Sequence, residues 1–321
     1  MKTRPGPVLI TGANSGIGLA SALYLAARGW EVHGTVRTRA KGAVLRGAAD
    51  EAGVRDRVHT VVLDVSDHAA VLDRWPRLPD FFAVVNNAGS NVSGAVETVS
   101  ADDAKALLDV NLVTPGVIAA CALPAMRQAG RGRIVNVSSI AGRAAVLPFH
   151  GWYHASKFGL RALSDVLRVE VAPFGVKVVL IERGLFGTSI LGKAGEQMAA
   201  TDDASPYAAG IARVAALNEW YERMAPPPDA VAKAIASAVE SSRPKRRYLV
   251  GREALPVRAL AFVPDEITDA NGQYCFDTVD SNSEYFVYQP AQDVDGLQLD
   301  EQVSGLIDPG AANLIIDQFQ T

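Results

Sequence analysis

Short apolar runs alternate along this chain with longer stretches whose apolar residues recur every three to four positions. Val8-Leu9-Ile10, Glu31–Val36, Val58–Val65, Phe81–Val85, Arg133–Ser138, Val176–Glu182 and Arg247–Val250 are rich in β-branched or aromatic residues and read as strands. Leu19–Ala27 reads as a helix ended by Gly29, residues 41–57 as a helix plus loop, and residues 67–75 as a short helix broken by Pro76 and Pro79. Residues 100–114 form a further helix, continued with a kink at Pro115 through Ala119, Leu123 and Met126. Phe158, Leu160, Leu163, Val166, Leu167 and Val169 follow a helical period that Pro173 and Gly175 end. Residues 230–239 make the last helix, with Asp229 as its cap. Strand–helix alternation of this kind predicts an α/β fold, a doubly wound parallel seven-stranded sheet with helices on both faces.

The chemistry sits at the strand ends. The first strand runs directly into Gly12-Ala13-Asn14-Ser15-Gly16-Ile17-Gly18 and then a helix. Glycines let the backbone approach a pyrophosphate, and a helix N-terminus attracts its charge, so Gly12, Asn14, Ser15, Gly16, Ile17 and Gly18 are candidate cofactor contacts in a Rossmann-like arrangement. Where an Asp or Glu is expected to meet the adenosine ribose, the second strand ends in Arg37, with Arg39 following. A guanidinium suits a 2'-phosphate, which favours NADP(H) and leaves NAD(H) possible. Asp64, next to Val65, is placed either to accept the adenine amino group or to cap a turn. Asn86-Asn87-Ala88-Gly89 ends the fourth strand with residues small enough to admit a ribose. Gly184 and Thr188, after the sixth strand, are candidates for the nicotinamide carboxamide.

The fifth strand delivers Ser138 and Ser139 to the same edge, and Tyr153 and Lys157 follow four residues apart on one helical face. An ammonium beside a phenol favours the phenolate and prepares an acid/base pair. Asn111 interrupts an apolar neighbourhood, where a buried amide either bonds backbone or holds a water.

Composition narrows the partners. With a net charge of -4, nucleic acid is not expected. Cys121 and Cys275 form no Cys-x-x-Cys pair and the five histidines show no ligand spacing, so no metal is expected and a cytoplasmic setting fits. No run approaches 18 consecutive apolar residues, so no membrane span is expected. Residues 259–321 hold no Lys or Arg and 12 of the 35 Asp and Glu, which leaves 31 basic against 23 acidic residues before them. That break divides the chain into a cofactor-binding and catalytic domain, residues 1–260, and an acidic C-terminal extension, residues 261–321, of unassigned role. Within the extension, Gly272–Phe276 and Ser283–Gln289 have strand character. Between the sixth and seventh strands, residues 190–228 carry apolar stripes (Leu191, Met198, Tyr207, Ile211, Val214) that form either a substrate lid or plain helix packing.

Thr11-Gly12-x-x-x-Gly16-x-Gly18, Asn86-Asn87-Ala88-Gly89, and the ordered set Asn111, Ser139, Tyr153 and Lys157 resemble the motifs of classical short-chain dehydrogenases/reductases. The resemblance spans roughly residues 5–260, and Ala162–Asp165 with Pro173–Val176 is most similar to the 17-beta-hydroxysteroid and retinol dehydrogenase branch. It implies an NADP(H)-dependent oxidoreductase acting on a carbonyl or secondary alcohol of fairly apolar character, ketone, steroid-like or retinoid-like, in a homodimer or homotetramer. It further implies that Tyr153 is the general acid, that Lys157 lowers its pKa and binds the nicotinamide ribose, that Ser139 holds the oxygen, and that Asn111 supports a water relay. Two departures stand out. Tyr153 lies one position further from Ser139 than is usual, which predicts either a bulged loop or an exchange of roles between Ser138 and Ser139; the intact Ser-Ser-Ile-Ala-Gly frame favours Ser139. Glu182-Arg183-Gly184 replaces the usual Pro-Gly, which puts a charge near the nicotinamide pocket. Both departures are also compatible with a weakly active or inactive cofactor-binding relative of structural or regulatory role. Epimerase or dehydratase chemistry is a third reading.

Overall fold

A computed structural model describes residues 6–145, 147–184, 186 and 205–251, without the side chains of residues 220–222 and 224. The chain divides into two units, Met1–Phe262 and Val263–Thr321. Thr188, Leu191, Met198 and the strand-like segments of the acidic extension lie outside the described residues.

Seven parallel strands, β1 (Pro7–Ile10), β2 (Glu31–Val36), β3 (Val58–Val62), β4 (Ala83–Asn86), β5 (Gly132–Ser139), β6 (Val176–Arg183) and β7 (Arg247–Val250), pair in the order β3-β2-β1-β4-β5-β6-β7. The expected doubly wound sheet is thus present, and its switch point lies between β1 and β4, where open α/β sheets bind ligands. Side-chain alternation builds the two layers. Val8, Ile10, Val85, Val135, Val137, Val179 and Ile181 face one side. There they meet α1 (Gly16–Ala27), α2 (Arg39–Glu51) and α8 (Asp229–Glu240). Leu9, Val84, Ile134 and Val178 face the other side, against α3 (His68–Arg74), α5 (Thr114–Gln128) and the end of α6 (Gly151–Val171). α4 (Ala101–Leu108) precedes α5, and α7 (Ala208–Met224) precedes α8.

Four local expectations change. β3 stops at Val62, so Asp64 stands beyond the strand, in a turn where it accepts from the Ser66 amide (3.0 Å) and hydroxyl (2.7 Å). Asp229 is the first residue of α8 rather than its cap; Pro228 takes the cap position, whose fixed φ suits a helix start. The helix expected at 100–114 ends at Leu108 and passes through a five-residue π-turn, Asp109–Val113, before α5. Finally, β2–β3 register brings two of the scattered histidines together. His33 pairs with His59, their rings stack at 4.7 Å, and Glu31 Oε1 lies 2.9 Å from His33 Nε2. Burial lowers the His33 pKa, with the Glu31 bond opposing.

The helical run Ala101–Gln128, 28 residues, is the one described stretch long and apolar enough to cross a membrane. It buries Ile118, Ala119, Ala122 and Met126 against the sheet, and the π-turn interrupts it with a buried amide, so it is a core helix of this fold.

Candidate active site

A cleft of about 710 Å³ opens at the carboxyl edge of the sheet. Gly12, Asn14, Ser15, Gly16 and Ile17 line one end, Arg37 and Asp64 the side, Asn87, Ala88 and Gly89 the middle, and Tyr153 and Lys157 the far end. Val65 lines it too. Gly18, Asn111, Ser139 and Gly184 are not part of its wall.

The glycine turn is built as its sequence requires. Gly12 and Gly16 have φ of 66° and 52°, the left-handed region that glycine occupies without strain. At Gly18 a Cβ would come within 2.2 Å of the Gly12 carbonyl oxygen and 2.5 Å of Asn87 Nδ2. α1 therefore packs directly on the turn and on the end of β4. Asn87 fixes that contact by donating to the carbonyls of Thr11 (2.8 Å) and Gly12 (3.3 Å). Thr11 in turn accepts from the amides of Asn87 (2.9 Å) and Ala88 (2.8 Å). The cradle is rigid, and α1 aims its N-terminus at the space a pyrophosphate needs. At the side of the cleft, Arg37 is exposed and has no carboxylate partner among the described residues. Lys41 joins it from the first turn of α2, whose start Thr38 caps by accepting from the Lys41 amide at 3.2 Å. These groups fit a dinucleotide carrying an extra phosphate. Lys41 had escaped the sequence reading, although its position one turn into a helix after Arg37 was the available signal.

α6 is clamped to β5 by a buried polar chain. Asn86 donates to Asn136 (2.7 Å), Asn136 to Ser164 (2.8 Å), and Ser164 back to the Leu160 carbonyl (2.6 Å). His154 pairs with the Ala141 carbonyl at 2.8 Å, tying α6 to the turn after Ser139. Gly142 lets the two meet, since a Cβ there would sit 2.7 Å from the Lys157 carbonyl oxygen. Ser139 accepts from the Ala141 amide at 3.1 Å, and its hydroxyl is close enough to Tyr153 to favour the phenolate. Ser138 faces away, and its buried hydroxyl has no partner. The extra residue between Ser139 and Tyr153 is absorbed before α6. Phe149 there adopts φ 63°, an unfavourable conformation for an aromatic residue, while its carbonyl accepts from the Gly94 amide at 2.8 Å.

Charge then sets the phenol. Burial pushes the Tyr153 pKa up. Arg183, then Lys157, then the Ser139 hydrogen bond pull it down, and the balance lies below the usual tyrosine value. Burial likewise lowers Lys157, partly offset by Tyr153 and reinforced by Arg183. Lys157 donates to the Val137 carbonyl at 3.2 Å. Asn111 makes three hydrogen bonds to protein. Its Nδ2 donates to the Ser90 carbonyl and the Ser156 hydroxyl, both at 3.0 Å, and its Oδ1 accepts from the Ser90 amide at 2.8 Å. The side chain thus ties the π-turn to α6 and to the loop after β4, with both amide hydrogens used. The Gly184 amide is committed to the Val250 carbonyl at 2.7 Å in the β6–β7 pairing, which removes the donor expected to meet a carboxamide.

Comparison with known proteins agrees with this geometry. Residues 7–199 match the family model described as short chain dehydrogenase. The chain belongs to the short-chain dehydrogenase family. It is 30% identical over 272 residues to 3-ketodihydrosphingosine reductase of Bacteroides thetaiotaomicron, covering 82% of this chain and 95% of that protein. It is 40% identical over 193 residues to human retinol dehydrogenase 16, covering 58% of each chain. This short-chain dehydrogenase thus spans little more than half the length of the human retinol dehydrogenases it matches. Among solved structures, a short-chain dehydrogenase from Sphingobium yanoikuyae in complex with NADPH is similar at TM-score 0.62 and 27% identity, over 80% of this chain and 91% of that one.

Proposed function

We propose that this short-chain dehydrogenase is an NADP(H)-dependent oxidoreductase that interconverts a carbonyl and a secondary alcohol. The observation that carries the reading is that Tyr153 and Lys157 line the same cleft as the Gly12–Gly16 turn and Arg37. The cofactor, when bound, supplies or accepts the hydride. In reduction the Tyr153 phenol gives its proton to the carbonyl oxygen, and in alcohol oxidation the phenolate takes it back. Ser139 holds that oxygen beside the phenol and stabilises its developing charge. Lys157 keeps the phenol acidic and reaches the cofactor ribose. Asn111 acts by position, holding α6 against the π-turn. Gly12, Asn14, Ser15, Gly16 and Ile17 cradle the pyrophosphate, Gly18 keeps α1 close, Asp64 and Val65 border the adenine, and Asn87, Ala88 and Gly89 flank the ribose. Gly184 and Thr188 stay proposed for the carboxamide from the sequence alone.

Residues 1–260 form the catalytic unit in this proposal, and residues 190–228 cover a fairly apolar substrate. Ile211 and Val214 of α7, packed with Phe149 and Tyr207, support a lid on that side. The NADPH-bound relative and the names of the sphingoid and retinol relatives support the cofactor and the apolar substrate. Oxidation of NADPH against a panel of ketones, aldehydes and their alcohols tests the assignment; a silent panel refutes it. Arg183 in place of the family's proline favours one second reading, a cofactor-binding relative of structural or regulatory role, which that silent panel together with retained NADPH binding would establish.

Cofactor choice has its own test. Arg37→Ala is expected to raise the KM for NADPH by about 10- to 100-fold, the worth of a charge-assisted phosphate contact, while leaving NADH little changed. Steady-state kinetics with both cofactors checks it, and equal effects on the two would remove Arg37 from the phosphate site. Self-association is also proposed. Phe158, Val166 and Val169 are exposed on α6, an apolar face that a second copy would cover. Sedimentation giving the mass of one chain would refute it. A cytoplasmic location is supported by the free Cys121 thiol.

A further inference from the structure

We propose that Arg183 is the anchor for a carboxylate that the substrate carries beside its reacting carbonyl or carbinol, so that this enzyme's substrates are oxo or hydroxy acids with an apolar body. This rests on the hydride-transfer reading above and names its substrate class.

The backbone puts Arg183 where such a group would lie. Arg183 is the last residue of β6, and its register partner on β5 is Ser139. Registered residues on neighbouring parallel strands point to the same face, about 4.8 Å apart. The guanidinium therefore stands beside the hydroxyl that holds the reacting oxygen. It lines the same cleft as Tyr153 and Lys157, yet Arg183 is only 7% exposed.

A buried cation needs a counter-charge, and the described residues do not supply one. The adjacent acid, Glu182, alternates to the opposite face and is taken by Arg143 in an ion pair at 2.7 Å, both side chains buried. Among the described residues Arg183 has no ion-pair partner. Its one hydrogen bond goes to the carbonyl of Gly184, its own neighbour in sequence, at 3.2 Å. The cationic neighbour Lys157 increases the local positive field.

The cofactor's phosphates are not the missing anion. The glycine turn follows β1, and three inter-strand spacings, about 14 Å, separate β1 from β6. The second phosphate site, at Arg37, lies beyond β1 on the far side of the sheet. With no anion from the described residues at the Tyr153 end, the counter-charge is assigned to the substrate. A guanidinium offers a planar fork that matches a carboxylate in two parallel hydrogen bonds, which fixes orientation as well as charge. Val92, Leu107 and Val110 add apolar groups to the wall of the same cleft.

The test uses NADPH-loaded enzyme, wild type and Arg183→Met and Arg183→Lys variants, each checked for an unchanged melting profile. Substrates are two oxo acids and their esters: phenylpyruvate with its methyl ester, and benzoylacetate with its ethyl ester. The wild type is expected to favour an acid over its ester in kcat/KM by about 10- to 100-fold, the worth of a charged hydrogen-bonded contact. Arg183→Met abolishes that preference, and Arg183→Lys, which keeps the charge and loses the fork, retains part of it. Equal use of acid and ester by the wild type overturns the proposal. So does an Arg183→Met variant that slows acid and ester alike, because Arg183 then acts only through the phenol. A second measurement is independent of turnover: calorimetric titration of the same proteins with phenylacetate and phenylacetamide. Tighter phenylacetate binding in the wild type, lost in Arg183→Met, supports the anchor even if none of the four compounds reacts. Equal or absent binding overturns it. A carbonyl panel that never oxidises NADPH refutes the hydride-transfer reading instead, and leaves the titration to judge Arg183.

Discussion

Tyr153→Phe slows carbonyl reduction by about 10²- to 10⁴-fold, the usual worth of a positioned general acid, while NADPH binds as before. In the proposed mechanism the phenol is the group that gives its proton to the reacting oxygen. Phe keeps the ring and so keeps α6 seated, held in any case by His154 on the Ala141 carbonyl and by the Asn86–Asn136–Ser164 chain. Stopped-flow measurement of NADPH oxidation, with cofactor affinity measured by fluorescence, separates the two effects. Undiminished turnover in a folded variant would remove Tyr153 from the mechanism. The wild-type pH profile carries a related expectation. Alcohol oxidation needs the phenolate, so its rate rises with pH through the phenol's apparent pKa. Arg183, Lys157 and Ser139, the groups facing the phenol from β6, α6 and β5, outweigh burial and hold that pKa below the usual tyrosine value. The rising limb therefore lies below about pH 10. Removing the Arg183 charge raises the phenol pKa and moves the limb to higher pH.

Gly18→Ala is expected to be nearly as damaging, through geometry alone. The new methyl would stand 2.2 Å from a backbone oxygen of Gly12, and Asn87, at 2.5 Å, cannot swing aside without releasing the Thr11 and Gly12 carbonyls. Either α1 moves off the turn or the turn deforms. Overpacking of this kind costs about 1–3 kcal/mol and is expected to lower the melting temperature by several degrees. NADPH affinity falls more than tenfold, because the cradle is the part that moves. Gly47→Ala is the control. It lies within α2 with nothing in 4 Å of the added carbon, and is expected to stabilise by about 0.5–1 kcal/mol through helix propensity. Comparable losses in the two variants would sink the packing argument.

Much of this was legible in the sequence because strands buried on both faces read as continuous apolar runs. β1 and β4 came out to within two residues for that reason, and the glycine turn and the Tyr153–Lys157 pair are local patterns that need no tertiary knowledge. What escaped depends on register or on partners distant in sequence. Glu31, His33 and His59 look scattered until β2 pairs with β3. Asn111 reads as a buried amide in need of partners, and Ser90 and Ser156, distant in sequence, are those partners. The direction of Arg183 follows from its pairing with Ser139, and the departure from Pro-Gly alone did not reveal it. Asp229 was misjudged because Pro228 competes for the same helix start.

The π-turn at Asp109–Val113 has one last consequence. A turn of this kind is an α-helix with a single residue too many, and its surplus is what swings Asn111 inward. The turn takes up that surplus, so the segments on either side keep the faces they would have in a regular helix one residue shorter. Deleting one residue within Asp109–Val113 is therefore expected to leave Ile118, Ala119 and Met126 on the sheet while removing the bulge and with it the bonds of Asn111 to Ser90 and Ser156. The extra residue in this stretch serves the cleft and not the core, so its loss is expected to cost NADPH turnover more than melting temperature.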